Sequence, residues 1–391
     1  MMKILIKLFF CIIILSLLAV LITDKMYLLT ALRVTYLKGN TDVTIYDYKV
    51  QETNVIEAKN KQPWKLHQKY NQVKLSDNIL KHHKNLESIA FIVVKDGQIL
   101  TEEYFNEGSK EHLSGVWSIT KTYTAMLILK AIEDGLIDDI DDPVTKYIPE
   151  LEFEQRQILT LRHLASMSAG LYWKESAHSP FSLITKFNFY NNLEKLVLND
   201  MSAVREPGEV QHYNSGGIQI LGLVLERVLG GKSISDYLSE KIWNPMGYEF
   251  DGGYILDSKK YANEKAFCGL VMTARDVSRL GQLINQKGKW NGQQILSVKD
   301  INLIQTLPYN NTSYNYGVWS GVYKGYKFYF QAGYLGQYCI SVPDLNLVIT
   351  RLGHKASPKK NALEVNPDTY IYIEEAIRIL QESGIDLLEQ Y

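Results

Sequence analysis

Cysteine is scarce, with three residues in a chain of 391. That excludes a disulfide-stapled scaffold. There is no C-x-x-C or H-E-x-x-H spacing, and the eight histidines show no ligand-like pattern, so no metal is expected. A glycine-rich phosphate loop is missing as well, and no organic cofactor is expected. An excess of one charge sign is also absent. Lys and Arg number 42 against 43 Asp and Glu, for a net charge of −1, and basic residues form no dominant run. Nothing points to a nucleic-acid partner. Internal repeats and low-complexity linkers are absent. Hydrophobic residues at 46% and charged residues at 22% place the chain among ordinary globular proteins. Its length allows one large domain or two ordinary ones, with a sizeable core.

What the sequence does have begins at its N-terminus. In "MMKILIKLFFCIIILSLLAVLITDK", Lys3 and Lys7 lead into an apolar stretch from Leu8 to Ile22. With Ile4–Ile6 it approaches the ~20 residues of a membrane span. A cleaved signal peptide and an uncleaved anchor compete, and the lack of a small-x-small cleavage site after Ile22 favours the anchor. The lysines then stay inside, and the remainder lies outside the cytoplasmic membrane. Cys11 falls in this segment. Cys268 and Cys339 either pair in that oxidising compartment or stay as buried free thiols.

Residues 1–23 are thus read as anchor or signal and 24–74 as a lead-in. Within the lead-in, "DVTIYDYKV" alternates like a strand and "NKQPWKLHQKYN" reads as polar surface. The main domain is read as 75–385. "SIAFIVVKDGQILTEEYF" predicts a hairpin, because Asp96-Gly97 is a strong turn signal between β-rich runs. An apolar helix follows Trp117-Ser118 and ends near Gly135. Asp142 is a candidate N-cap with Pro143 at the first helical position. The acidic run around them lacks calcium-loop spacing. Residues 158–260 read mostly as helices and loops, including "ILTLRHLASMSAGL", a helix with a turn at its end, and "GGIQILGLVLERVLGG", a helix closed by a glycine pair. "YKFYFQAG", "GQYCISVPD" and "NLVITRLG" read as three strands, and a last helix covers about 367–383. Strands open and close the domain while helices fill its middle. The expected fold class is therefore α/β (α+β): an antiparallel sheet flanked by helices, with an all-helical insertion over about 136–262.

Chemistry concentrates at "WSITK". Residues three apart on a helix share a face, ~5–6 Å between Cβ atoms, so Ser118 and Lys121 meet if the helix begins at the serine. A helix N-terminus favours a developing alkoxide, and it disfavours the ammonium form of a lysine that is also packed in apolar surroundings. A neutral Lys121 can take the Ser118 proton. The Ser118 backbone N–H is placed to stabilise an oxyanion. A second S-x-x-K, Ser357 to Lys360, contains a proline and precedes no apolar helix, so it reads as chance. Taken alone, "WSITK" reads equally well as a helix N-cap serine with a surface lysine.

Further segments lie in order along the chain: "DDPVTKYIPEL", "LTLRHLASMSAGL", "EPGEVQHYNSGGIQILGLVLE", "FCGLVMTARDVSRLGQLINQKGKWNGQQIL" and "FQAGYLGQYCISVPDLNLVITRLG". Together with "WSITKTYTAMLILKAIEDGLID" they resemble the serine β-lactamase and penicillin-binding-like family over roughly residues 75–385. That resemblance implies a β-lactamase/transpeptidase-like fold, Ser118 as the acylated nucleophile and Lys121 as its proton partner. Tyr213 would pass a proton to the leaving group. Gly333 would lie on the strand edging the site, with the Tyr334 backbone N–H as second oxyanion donor. Trp173 and Glu175 in "LYWKES" are candidates for the pocket mouth or for a surface loop. Arg351 and His354 read as ordinary strand-end charges.

Two positions depart from the penicillin-recognising members. Ser215 stands where those carry the Asn of Tyr-x-Asn, and Gln331 where they carry a cation before the strand glycine. Both positions face substrate in the resemblance. A neutral Gln331 offers weaker hydrogen bonds than a cation does, so substrates without a carboxylate are expected. The Tyr-Asn-Ser-Gly-Gly pattern is similar to the branch of amide-oligomer hydrolases and esterases. The expected function is a serine hydrolase acting on a small-molecule or peptide-like ester or amide through an acyl-enzyme, held at the membrane by the N-terminal segment or exported. The alternatives are a D,D-carboxypeptidase or β-lactamase, and a non-catalytic protein that binds cell-wall fragments. An α/β-hydrolase is disfavoured because no G-x-S-x-G elbow occurs.

Overall fold

The computed structural model describes residues 2–151, 158–175, 179–309, 312–358 and 365–387. The elements that position the site are, in chain order, α1 (Met2–Ile22), α2 (Tyr27–Val34), β1 (Lys65–Leu66), α3 (Asp77–Asn85), β2 (Ser88–Lys95), β3 (Gln98–Tyr104), α4 (Thr120–Glu133), α5 (Leu183–Phe189), α6 (Ser215–Val228), α7 (Ala274–Asn285), β4 (Tyr314–Asn315), β5 (Val318–Tyr323), β6 (Tyr326–Gly333), β7 (Gln337–Val342), β8 (Leu347–Gly353) and α8 (Pro367–Glu382).

Every residue of β2 is buried, as expected of a strand covered on both faces. It pairs with β3 across the Asp96-Gly97 turn, where both residues have positive φ, the geometry that follows the twist of a hairpin. The chain returns to β2 only at its end, when β8 pairs with it antiparallel. The eight-stranded sheet runs β4-β5-β6-β7-β8-β2-β3-β1, antiparallel except where the edge strand β1 lies parallel to β3. On one face lies α7, with the Cys339 thiol against the Val277 carbonyl and the Ser341 hydroxyl against that of Gly281. On the other lie α3 and α8, joined by His82 and Asp368 and packed on Phe91 through Tyr372.

Helix α4 is buried along Thr120–Ala131, the mark of a helix enclosed by the domain rather than lying on it. Beyond it lie α5, α6 and three further helices, Leu161–Ala165, Leu193–Asp200 and Ile234–Leu238. The helical stretch closes on a strand, Gly252–Ile255, which joins Thr53–Ile56, Leu270–Met272 and Ser114–Gly115 in a second, four-stranded sheet.

Four local expectations are corrected. "DVTIYDYKV" forms no strand. The Asp47 carboxylate accepts from the Thr44 N–H and hydroxyl, closing a turn that ends in a 3₁₀ segment, and such side-chain bonds compete with extended backbone. Trp64, in the stretch read as polar surface, is buried and donates to the Arg275 carbonyl. Pro143 does not open an α-helix: it precedes a single 3₁₀ turn, while the Asp142 carboxylate accepts from the Asp139 N–H. The helix in "ILTLRHLASMSAGL" ends in a turn as expected but is shorter, spanning only Leu161–Ala165 before positive-φ residues at Met167 and Gly170.

The expected anchor falls on α1. The side chains of Phe9, Ile12, Ile13 and residues 16–19 lie outside those described, and among the described residues no helix is long and apolar enough to cross a membrane. The anchor therefore rests on the sequence alone.

Candidate active site

Ser118 sits in a 3₁₀ turn, Trp117–Ile119, that runs directly into α4. The serine is thus at the mouth of the helix, as its sequence context implies. Trp117 before it has φ +52°, a conformation uncommon for a bulky residue and one that stores strain. It braces the turn by packing edge-on against Tyr334, with ring centroids 6.0 Å apart.

Lys121 is buried, with its Nζ 2.7 Å from Ser118 Oγ and 2.8 Å from the Phe267 carbonyl oxygen. Burial depresses its pKa to about 8, and the Glu175 charge partly opposes that fall. Tyr213 is 9% exposed. Its ring stacks on Trp319 and meets Tyr314 edge-on, its centroid is 5.3 Å from Lys121 Nζ, and it lines the cavity beside Ser118, whose hydroxyl is near enough to pull the Tyr213 pKa down against burial. Burial holds the Tyr213 phenol protonated, with the Glu175 charge acting the same way. A hydroxyl, an amine of tuned basicity and a phenol are therefore within reach of one another.

The backbone completes the site. Gly333 ends β6 pressed against the nucleophile turn: a Cβ there would lie 2.1 Å from the Val116 carbonyl oxygen. The close neighbour that requires a glycine here is the chain's own backbone. Tyr334 follows, and its N–H and that of Ser118 have no partner among the described residues. The turn 334–336 contains Leu335 at φ +64°. It is held by Arg351, which is 0% exposed and donates to the carbonyls of Leu335, Gly336, Lys355 and Leu86 and to the Ser88 hydroxyl. Arg351 is a buried clamp and not a strand-end charge; the apolar "NLVITRLG" around it was the only signal of burial.

The cavity over Ser118 has a volume of about 940 Å³. Glu175, Tyr213, Ser215, Gly333 and Tyr334 line it. Ser215 donates to Glu175 Oε1 at 2.5 Å, and Asn214 beside it caps α6 by accepting from the Gly217 N–H. Two expected contact residues are not in the lining. Trp173 is buried beneath the wall, edge-on to Phe187, and its Nε1 donates to Glu175. Gln331 is fully buried, paired in register with Cys339, and its amide atoms have no partner among the described residues. Cys268 lines the cavity while Cys339 packs on α7. Both are free thiols pushed up to about 12 by burial. Lys360 of the second S-x-x-K lies outside the described residues.

The lead-in supplies a wall that the sequence did not announce: Ala31, Thr35, Tyr36, Thr41, Asp42 and Val43 all line the cavity. Among the described residues, no group of three or more His, Cys, Asp or Glu side chains is arranged to hold a metal ion.

Comparison with known proteins places the chain by family and fold. The family model described as Beta-lactamase matches residues 75–369. Beta-lactamase-like protein 4 of Dictyostelium discoideum is 25% identical over 152 residues, covering 35% of this chain and 26% of the relative. A teichoic acid D-alanine hydrolase of Staphylococcus aureus is 27% identical over 161 residues, 40% of this chain and 37% of the relative. The chain thus spans about a quarter to two-fifths of the length of these curated relatives. Among solved structures, a protein assigned as a 6-aminohexanoate-dimer hydrolase from Bacillus anthracis superposes with a TM-score of 0.69. It is 21% identical, and the match covers 88% of this chain and 94% of that one.

Proposed function

The chain belongs to the Beta-lactamase family, and from that premise we propose that it hydrolyses an ester or amide through an acyl-enzyme on Ser118. The observation that carries the reading is the 2.7 Å contact between Ser118 Oγ and a buried Lys121. A lysine whose pKa is near 8 is partly neutral at neutral pH and matched to proton transfer. Neutral Lys121 takes the Ser118 proton as Oγ attacks the carbonyl carbon. The carbonyl oxygen becomes an oxyanion held by the Ser118 and Tyr334 N–H groups. As the tetrahedral adduct collapses, Tyr213 passes a proton to the leaving oxygen or nitrogen, and an ester bond to Ser118 remains. Water then attacks that ester, gives its proton to the Lys121–Tyr213 pair, and releases the acid and the serine hydroxyl.

With Gln331 buried away from the cavity, a substrate carboxylate has no cation at the position where penicillin-recognising relatives of the resemblance carry one. A neutral ester is therefore turned over faster than a penicillin. The N-terminal segment would hold this domain outside the cytoplasmic membrane, which surface proteolysis of intact cells checks. The enzyme reading is tested by intact-protein mass spectrometry after exposure to a fluorophosphonate. One adduct is expected on the wild type and none on Ser118→Ala. An unlabelled wild type overturns it in favour of a binding protein.

A further inference from the structure

We propose that Glu175 is the recognition point for a cationic group, so that the preferred substrates are esters or amides carrying an ammonium near the acyl centre. This rests on the serine-hydrolase reading and adds the substrate class to it. The Glu175 carboxylate lines the same cavity as Ser118. It is held in place: Oε1 accepts from the Ser215 hydroxyl and Oε2 from the Trp173 indole. Trp173 is itself buried against the first turn of α6, where a Cβ on Gly216 would lie 2.5 Å from the indole ring. The carboxylate is therefore preorganised and not a swinging surface group.

Both of its donors are neutral. Among the described residues no Lys, Arg or His nitrogen forms an ion pair with it. Lys121 is committed to Ser118 and the Phe267 carbonyl, and it must be neutral to act as a base. Glu175 then faces the cavity without an ion-pair partner among the described residues. A cationic ligand in the cavity would supply that partner. The surrounding wall suits that ligand, because Trp117, Tyr213, Phe267 and Trp319 line the cavity and aromatic faces attract cations. Of the other charged groups lining it, His354 pairs with Glu107 and Lys355 with Glu87, while Asp42, toward the lead-in wall, accepts from the Tyr334 hydroxyl. Among the described residues, the cavity thus offers carboxylates without an ion-pair partner, Glu175 among them, and no unpaired cation.

The competing role, a plain anchor for Ser215 and Trp173, is separated by Glu175→Gln, which keeps the shape and an acceptor oxygen but removes the charge. The test uses two pairs of esters matched in shape, one member with a trimethylammonium group and the other with tert-butyl, placed on the acyl side in one pair and the alcohol side in the other. In at least one pair the wild type should show kcat/KM at least about tenfold higher for the cation, through KM, falling to within about twofold in Glu175→Gln. If no ester turns over, each is read by how strongly it slows fluorophosphonate labelling of Ser118, with the same cation preference expected and the same loss in the variant. Equal behaviour of both members in the wild type, or a preference that survives Glu175→Gln, overturns the proposal. Labelling of Ser118 distinguishes the failures: a labelled enzyme without cation preference loses only the substrate class, whereas an unlabelled wild type loses the hydrolase reading beneath it.

Discussion

The Tyr334 hydroxyl donates to Asp42 Oδ2 at 2.6 Å, tying the turn that carries an oxyanion N–H to the lead-in segment. The lead-in is thereby part of the site and not a tether. Tyr334 is 40% exposed, so solvent competes for the bond and its net worth is about 1 kcal/mol. Tyr334→Phe is expected to raise KM for a neutral ester a few-fold while shifting Tm by less than about 2 °C. Steady-state kinetics and a melting curve check both. An unchanged KM would leave the lead-in wall without a part in substrate binding.

The activity should depend on pH through Lys121. Its pKa is lowered by burial to about 8, and the neutral form is the base, so kcat/KM for a neutral ester rises with pH and reaches half its plateau near 8. The Glu175 charge raises the Lys121 pKa, so Glu175→Gln should move that inflection to lower pH. A shift upward, or none, would show that the two groups do not share a field.

The same lysine sets a stability trend of known sign. Its folded pKa lies below the ordinary 10.5, so between pH 8 and 10.5 the unfolded chain binds more protons and stability rises with pH. Below pH 8 the full penalty of burying the ammonium is present, about 3 kcal/mol. Lys121→Met lacks that penalty. Its Tm relative to the wild type should therefore be highest below pH 8 and decline by several degrees as pH approaches 10.5. The comparison cancels groups that titrate in both proteins, Lys265 among them.

Much of this site was legible because its signals are local. Ser118 and Lys121 are three residues apart, and the apolar run behind them already implies a buried helix and a depressed amine. The β2–β3 hairpin and the β6–β7–β8 meander were equally legible, since Asp-Gly and Pro-Asp turns separate β-rich runs. What escaped depends on contacts distant in sequence. Asp42 and Tyr334 are 292 positions apart, and nothing in "NTDVTIY" announces a cavity wall. The alternation there misled because Asp47 satisfies Thr44 locally. Motif position puts Gln331 in the lining and leaves Trp173 between pocket mouth and surface loop, but which way a side chain points is settled by packing: Gln331 is driven into the core and Trp173 under the wall.

Gly333 is expected to be intolerant of any side chain. A methyl group there would overlap the Val116 carbonyl, and both partners are backbone, so neither can swing aside. Gly333→Ala must push the end of β6 away from the nucleophile turn and displace the Tyr334 N–H from the oxyanion position. Overpacking of this kind costs about 1–3 kcal/mol, and loss of one oxyanion donor costs about 10²–10³ in kcat. Melting and kcat measured together check it. A variant of normal kcat would remove the Tyr334 N–H from the mechanism.

Arg351 carries the strongest prediction about positioning. Leu335 is held at φ +64°, a conformation that persists only when its surroundings enforce it. The enforcing group is the Arg351 guanidinium, whose Nη1 takes the Leu335 and Gly336 carbonyls at 3.1 and 2.8 Å. Lysine keeps the charge but has one ammonium in place of a planar fork, and cannot reach acceptors on the 86–88 and 335–336 segments together. Arg351→Lys should therefore lower Tm and also lower kcat more than about tenfold at temperatures well below the melt, with KM changed far less. A purely structural arginine would move Tm alone. A kcat that stays at the wild-type level in folded Arg351→Lys would show that the turn holds its oxyanion geometry without the clamp.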